Sequence, residues 1–339
     1  MKPFEDASYR AQVLRLRALA ESLITRFPIR VKSLEFIHHG ENATFKVTDI
    51  RGRKFLLRIH RGGYHSTDAI GEELKWLEIL ARTTDLDLPR PVRSKKGLLI
   101  ESGTHLGLSA PRQCCVFEWT EGRFLYKSVA PKHLEHLGAV MARLQLSGTT
   151  VPVEHRSYWN AEGLLGRQPK FGSIDHLSAT SPADQRIISD GRRIVYRKLK
   201  TYSKRFPERM GLIHADMHFG NVLQVNHGHH NIGVIDFDDC GFGFHCYDLA
   251  VPLIALEYIL KAKRQSHRLP EYREALLSGY ASYMPWDRHN EEILPYLLMA
   301  RKLTMLGWIH SRSDNPRLKK RLKKAVRACV RHLRKELEL

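Results

Sequence analysis

Two short apolar runs, residues 222–225 (Val-Leu-Gln-Val) and 232–235 (Ile-Gly-Val-Ile), flank the turn signal Asn226-His227-Gly228. Such a pattern predicts a β-hairpin. Its outer ends are unusually polar. His214, Asp216, His218 and Asn221 precede the first run, and Asp236, Asp238 and Asp239 follow the second. A hairpin returns its outer ends toward each other, so the spacing predicts that Asp216 and Asp236 face one small volume. His227, His229 and His230 fall in the turn and read as a solvated loop rather than a metal tract.

The rest of the chain must house this hairpin. At 339 residues and 42% hydrophobic, it can bury a large core in two domains or lobes. The most apolar stretch, residues 251–257, is broken by Pro252 and Glu257, short of a membrane span. The first residues lack the basic-then-apolar order of a secretory signal, so the cytoplasm is the expected location. Five cysteines (114, 115, 240, 246 and 329) contain no C-x-x-C pair, which argues against a disulfide framework or a thiolate zinc site. The net charge of +19 is partly local. Residues 317–335 hold ten cations and no acid. The first reading is one solvated basic helix face; the alternative is a surface for nucleic acid or an acidic membrane.

Taken in order, residues 8–27 show helical spacing ended by Pro28. Three strand-like runs follow at 31–37, 42–49 and 54–60, the last two joined by the turn Arg51-Gly52. In the third run Phe55, Leu57 and Ile59 share one face, leaving Arg58 and His60 on the other. A helix capped by Ser66, Thr67 or Asp68 runs to about Arg82 and is stopped by the prolines of 88–91. Strands are expected at 97–101 and 114–119, and a connection between lobes at 118–122. From Pro131 the pattern turns helical, with helices at 184–205, 244–263, 270–282, 290–311 and 316–337 around the hairpin. Residues 150–182 carry no clear period.

The hairpin's polar ends suit phosphoryl transfer, which needs hard oxygen ligands for Mg²⁺, a group to orient the attacking hydroxyl, and a cation for phosphates. His214-x-Asp216 followed by Asn221 matches the H-x-D-x-x-x-x-N spacing of a kinase catalytic loop, and Asp236 stands where that class places its Asp-Phe-Gly aspartate. The whole motif, His-Ala-Asp-Met-His-Phe-Gly-Asn then Ile-Asp-Phe-Asp-Asp, resembles the aminoglycoside phosphotransferase and choline kinase-like family of small-molecule kinases. The resemblance is strong over 211–250 and weaker elsewhere. It implies an α+β, bilobal protein-kinase-like fold: an antiparallel β lobe with one helix (1–118, after a leading helix), and a mainly α lobe with the embedded hairpin (119–339). It implies Asp216 as the catalytic carboxylate, Asn221 and Asp236 as Mg²⁺ ligands, and ATP or GTP as phosphate donor to a small hydroxyl-bearing substrate. His214, His218, Asp238, Asp239 and Asp248 would support the site. Arg58 takes the place of the family's strand lysine, with Glu73 as its partner and Glu72 as second choice. The two cations are not equivalent. Asn42, in a loop with one glycine, would contact phosphate, and the backbone of Phe117, Glu118, Trp119 and Thr120 would hold the base.

Rival readings are a Ser/Thr protein kinase of the same fold, a nucleotide-binding module without turnover, and a metal-dependent hydrolase using His214, Asp216 and His218. The first two share the motif. The third lacks a further well-placed histidine.

Overall fold

The computed structural model of the chain describes residues 2–178, 180–225, 231–313 and 315–338; His227, His229 and His230 lie outside them. The chain forms two compact units. One comprises Met1–Gly122, Glu154–Arg156 and Gly233–Asp238; the other comprises Arg123–Val153, Ser157–Ile232 and Asp239–Leu339.

The first unit begins with α1 (Tyr9–Ile24), whose Ser8 caps it by accepting the Ala11 N–H. Next come β1 (Val31–His39), β2 (Ala43–Asp49), β3 (Lys54–Ile59), α2 (Thr67–Thr83), β4 (Pro91–Val92), β5 (Glu101–Gly103) and β6 (Arg112–Glu118). The antiparallel sheet runs β1-β2-β3-β6-β4, with β5 also on β6. The β2–β3 turn needs Gly52 at φ +82°, a conformation costly for other residues. The buried Asp49 Oδ1 fixes it by accepting the Arg51 and Arg53 N–H groups, both at 2.8 Å. One face of the sheet packs Phe45, Val47, Leu57 and Ile59 against Leu16, Leu19, Leu23 and Phe27 of the α1 region. That burial is the main stabilising term here.

Two expectations are corrected. The apolar run 97–101 is not a strand: Gly97 turns the chain at φ +79°, its N–H donating to Ser94 O, and pairing with β6 begins only at Glu101. Helix α2 ends at Thr83, before the prolines. Thr84 is extended and bonds Leu80 O through both its N–H and its hydroxyl, and Pro91 joins the sheet.

The second unit holds β7 (Arg123–Phe124), α3 (Pro131–Ser147), β8 (Ser157–Trp159), α4 (Ala161–Leu165), α5 (Pro182–Arg205), β9 (Met210–Ile213) and β10 (Val222–Gln224). After β11 (Ile232–Val234), where the chain passes into the first unit, it returns with β12 (Gly241–Phe244), α6 (His245–Ala262), α7 (Leu269–Ala281), α8 (Arg288–His310) and α9 (Pro316–Leu337). The opaque segment 150–182 thus contains β8, which pairs in parallel with β12, while β9 pairs antiparallel on β12's other edge. The hairpin is shorter than its apolar runs and is closed by Val225 N–H donating to Asn231 O. Helices α3 and α7 approach so closely that a Cβ on Gly138 would lie 2.0 Å from Leu276 O. Among the described residues no helix is long and apolar enough to cross a membrane.

Candidate active site

In the second unit, β9 delivers the chain to His214 with the backbone already constrained. Ala215 adopts φ +66°, a left-handed conformation that costs a non-glycine residue about 1–2 kcal/mol. Asp248 on α6 offsets that cost. Its Oδ1 accepts the Ala215 N–H at 2.7 Å and its Oδ2 the His214 N–H at 3.0 Å. Burial pushes the Asp248 carboxyl up to about 6, while these bonds and one from Gln145 Nε2 pull the other way. The turn continues with His214 Nδ1 accepting the Asp216 N–H (3.3 Å) and His218 Nδ1 accepting the Gly220 N–H (3.0 Å). Asn221 Nδ2 donates to Asp216 O at 3.0 Å. Its amide donor is therefore occupied within the loop, and its Oδ1 is the group left for a ligand.

The Asp216 carboxylate has a partner that motif reasoning does not reveal. Arg301 Nη2 on α8 donates to Asp216 Oδ1 at 2.6 Å, and Arg301 Nη1 lies 3.4 Å from the Tyr247 hydroxyl. Arg301 is buried, yet its guanidinium stays firmly charged: burial opposes the charge, and the Tyr247 oxygen and Asp216 outweigh it. A signal existed in the sequence. Leu294, Leu297, Arg301 and Thr304 follow helical spacing, so Arg301 occupies a core position of its helix.

In the first unit, Arg58 on β3 meets Glu73 on α2 at 2.6 Å, with both side chains buried. Glu72, the alternative partner, is used elsewhere: its carboxylate accepts the N–H groups of Glu154, His155 and Arg156 at 2.9–3.1 Å. Arg58 Nη1 has Asp236 and Asp238 carboxylates each at 3.9 Å, and Arg58 Nε is buried with no hydrogen-bond partner. The guanidinium also stands 4.9 Å over the Phe117 ring. Buried Asp238 has His60 Nδ1 and His65 Nε2 within 3.7 Å. Burial alone would raise its pKa, but the hydrogen bond from His65 and the Arg58 charge hold it well below the carboxylate range. His60, buried beside Arg58, is held neutral. Neither histidine is a surface residue.

Asp236 has φ +65° and a side chain 54% exposed. It is placed by its neighbours: Phe237 packs edge-on against Trp76 of α2, and Arg156 donates to the Phe237 and Asp238 carbonyls. Asp239 belongs to the second unit, where its carbonyl accepts the Trp159 indole N–H at 2.8 Å. Asn42 Oδ1 accepts the Arg61 N–H at 3.2 Å, tying down the loop before β2. In the connection after β6, Glu118 N–H donates to Arg90 O and Trp119 N–H to Lys54 O. His218 Nε2 stands 3.5 Å from Asp216 Oδ2, but among the described residues no three His, Cys, Asp or Glu side chains cluster as the metal-holding group that the hydrolase reading requires.

Comparison with known proteins bears on these arrangements. A model of the phosphotransferase enzyme family matches residues 33–288. The chain is 22% identical over 305 residues to amicoumacin kinase of Bacillus subtilis, covering 88% of this chain and 85% of that one. It is similar in structure to a microcompartment-associated aminopropanol kinase, with 26% identity, a TM-score of 0.80, and 95% and 97% of the two chains covered. A second similar structure, an amicoumacin kinase in complex with AMP-PNP, Ca²⁺ and Ami, has a TM-score of 0.76 at 20% identity, covering 95% and 96%. The antiparallel sheet and the helical second unit agree with that likeness, and the family match runs over both units: the chain belongs to the phosphotransferase enzyme family and is an enzyme of the kinase type.

Proposed function

We propose that this protein is a Mg²⁺-dependent cytoplasmic phosphotransferase that moves the γ-phosphoryl group of ATP or GTP to a hydroxyl of a small molecule. The observation carrying this reading is the Asp216 carboxylate, anchored at Oδ1 by Arg301 within a loop that matches kinase spacing. With Oδ1 engaged, Oδ2 accepts the proton of the acceptor hydroxyl as it attacks.

The donor set fits a hard divalent cation. Asn221 offers an amide oxygen and Asp236 a half-exposed carboxylate, and we assign both to Mg²⁺. When bound, Mg²⁺ neutralises charge on the phosphate oxygens. Arg58 supplies the phosphate cation through Nη1, whose nearest carboxylates stand too far for hydrogen bonds, while Glu73 holds Nη2. The base is read by the backbone of residues 117–120, where the Glu118 and Trp119 N–H groups are already spent on Arg90 O and Lys54 O. His214, His218 and Asp248 shape the loop rather than react. Asn42 serves phosphate contact through its ordering of the loop before β2.

The test is an ADP- and GDP-release assay with Mg²⁺ over amino alcohols, aminoglycosides, homoserine-like compounds and sugars. Acceptor-dependent release supports the proposal. Nucleotide binding without release for any acceptor would point to a module that has lost turnover, and phosphorylation confined to protein substrates would move the acceptor class.

A further inference from the structure

Charge in this protein is concentrated on two helices that touch. Together α5 and α9 carry eighteen cations against three carboxylates, so fifteen of the chain's nineteen net positive charges reside on them. Gly191 is the reason they lie close: a Cβ there would come within 2.8 Å of Leu333 on α9. Apart from the half-buried Arg192, the α5 cations are exposed, as are all those of α9 from Lys319 to Lys335. Few are neutralised. Arg192 pairs with Asp175, Arg193 with Asp190, Lys200 with Glu162 and Lys335 with Glu336, while Lys319, Lys320, Lys323, Lys324, Arg327 and Arg331 have no carboxylate partner among the described residues. Like charges three and four residues apart on a helix repel. A polyanion would relieve that repulsion and release its own counterions.

Beside this surface, along the other flank of α5, runs a groove of about 970 Å³ in the same unit. Arg167, Arg192, Arg193 and Lys200 line it, with the rings of Tyr158 and Tyr196. Glu162 is its acidic member, bonded to the Tyr196 hydroxyl and 3.6 Å from Lys200. Tyr158 is 45% exposed. A cationic groove with accessible aromatic faces is what a single strand requires, phosphates following the cations and bases stacking on rings. A membrane surface fits less well. The apolar stripe of α9 (Leu322, Val326, Cys329, Val330 and Leu333) is already buried within the unit, leaving no apolar face to insert.

We propose that the α5–α9 surface and the adjoining groove bind single-stranded nucleic acid, as a function separate from phosphoryl transfer. The experiment is fluorescence anisotropy of the full chain with an end-labelled 20-nucleotide mixed-sequence RNA, titrated at 50 to 300 mM KCl. Saturable binding is expected at 150 mM KCl, weakening steeply with salt. Replacing Lys319, Lys320, Lys323 and Lys324 by Gln should weaken it at least about tenfold and reduce the salt slope by roughly 3, at about 0.7 per phosphate contact. Tyr158→Ala should weaken it by about tenfold with the slope unchanged, the signature of lost stacking. Both variants should keep the wild-type melting temperature and phosphotransfer rate. Absence of binding at 150 mM KCl would overturn the proposal, as would a quadruple variant that binds as well as wild type. Equal affinity for a 20-base-pair duplex, with Tyr158→Ala silent, would overturn the single-strand assignment. Co-sedimentation with phosphatidylserine vesicles in place of RNA binding would transfer the surface to membranes.

Discussion

Arg301 Nη2 reaches Asp216 Oδ1 at 2.6 Å from a helix 85 residues further along the chain. The pair is asymmetric: Arg301's side chain is 7% exposed and Asp216's 25%. The arginine is thus a fixed part of the core, and the carboxylate is the member that meets solvent. Asp216→Asn should keep the loop but remove the proton acceptor, lowering turnover by about 10²–10⁴-fold with nucleotide affinity changed only a few-fold. Arg301→Gln should lower kcat by roughly ten- to a hundredfold through loosened positioning and leave nucleotide affinity intact. Steady-state kinetics with parallel calorimetric titration separate the two, and an Asp216→Asn variant with most of its activity would remove the assigned role.

Asp236→Ala tests the metal assignment. Nucleotide affinity measured with and without Mg²⁺ should lose its dependence on the ion. Undiminished Mg²⁺ dependence would mean that other oxygens hold the metal.

The Arg58–Glu73 pair is buried on both sides. Removing one partner leaves a buried charge, so Glu73→Gln should destabilise the protein by about 3–5 kcal/mol, read from denaturant unfolding. Arg58→Lys keeps the charge but not the fork that faces Glu73 and Asp238 at once. It should lower the melting temperature without raising kcat, and a faster Lys variant would show that arginine hinders phosphate binding here.

Acid sensitivity should follow His245, which burial and the Arg209 charge bring down to about 4. In the unfolded chain this ring is protonated below about 6.5, whereas the folded one stays neutral to about pH 4. The unfolded state therefore binds more protons in that window, and stability falls as pH drops from 6.5 to 4. At 1.36 kcal/mol per pKa unit the loss is about 3 kcal/mol. Asp248 has the opposite slope over a similar range, because its folded pKa of about 6 is raised. His245→Gln should thus lessen the wild type's loss of stability on mild acidification, the remaining loss following His60, which burial also holds neutral. Urea unfolding from pH 7 to 4.5 measures it, and parallel curves for both proteins would refute the assignment.

Gly138→Ala should be severe. Its new methyl would meet Leu276 O and Tyr280 N of α7, which are backbone atoms that cannot rotate away. A loss of about 3 kcal/mol or more is expected, at the upper end for overpacking, while Gly71→Ala, where a Cβ meets nothing within 4 Å, should be neutral or stabilising.

Local chemistry made much of this protein readable in sequence. Long helices announce themselves by period and cap, so α2, α3 and α5 to α9 lie within a few residues of expectation. The pair Arg58 and Glu73 was legible through the resemblance to a family that places a strand cation against a helix glutamate, and the structure pairs the two. Strands of two to four residues outside the hairpin were not. β4, β7, β8, β9 and β12 are too short for any period, and each exists because a partner elsewhere pairs with it. The same reason hid Arg156, whose value lies in reaching the carbonyls of 237 and 238.

What the sequence determined by itself was the reactive inventory: Asp216, Asn221 and Asp236 at kinase spacing, on a hairpin whose apolar runs and turn are local properties. Tertiary structure alone decided which charges those groups meet. Arg301 on Asp216, Glu72 on the 154–156 backbone, and α9 laid along Gly191 of α5 all join residues with no local relation. Periodicity assigns a residue to a face, but only packing states what that face touches.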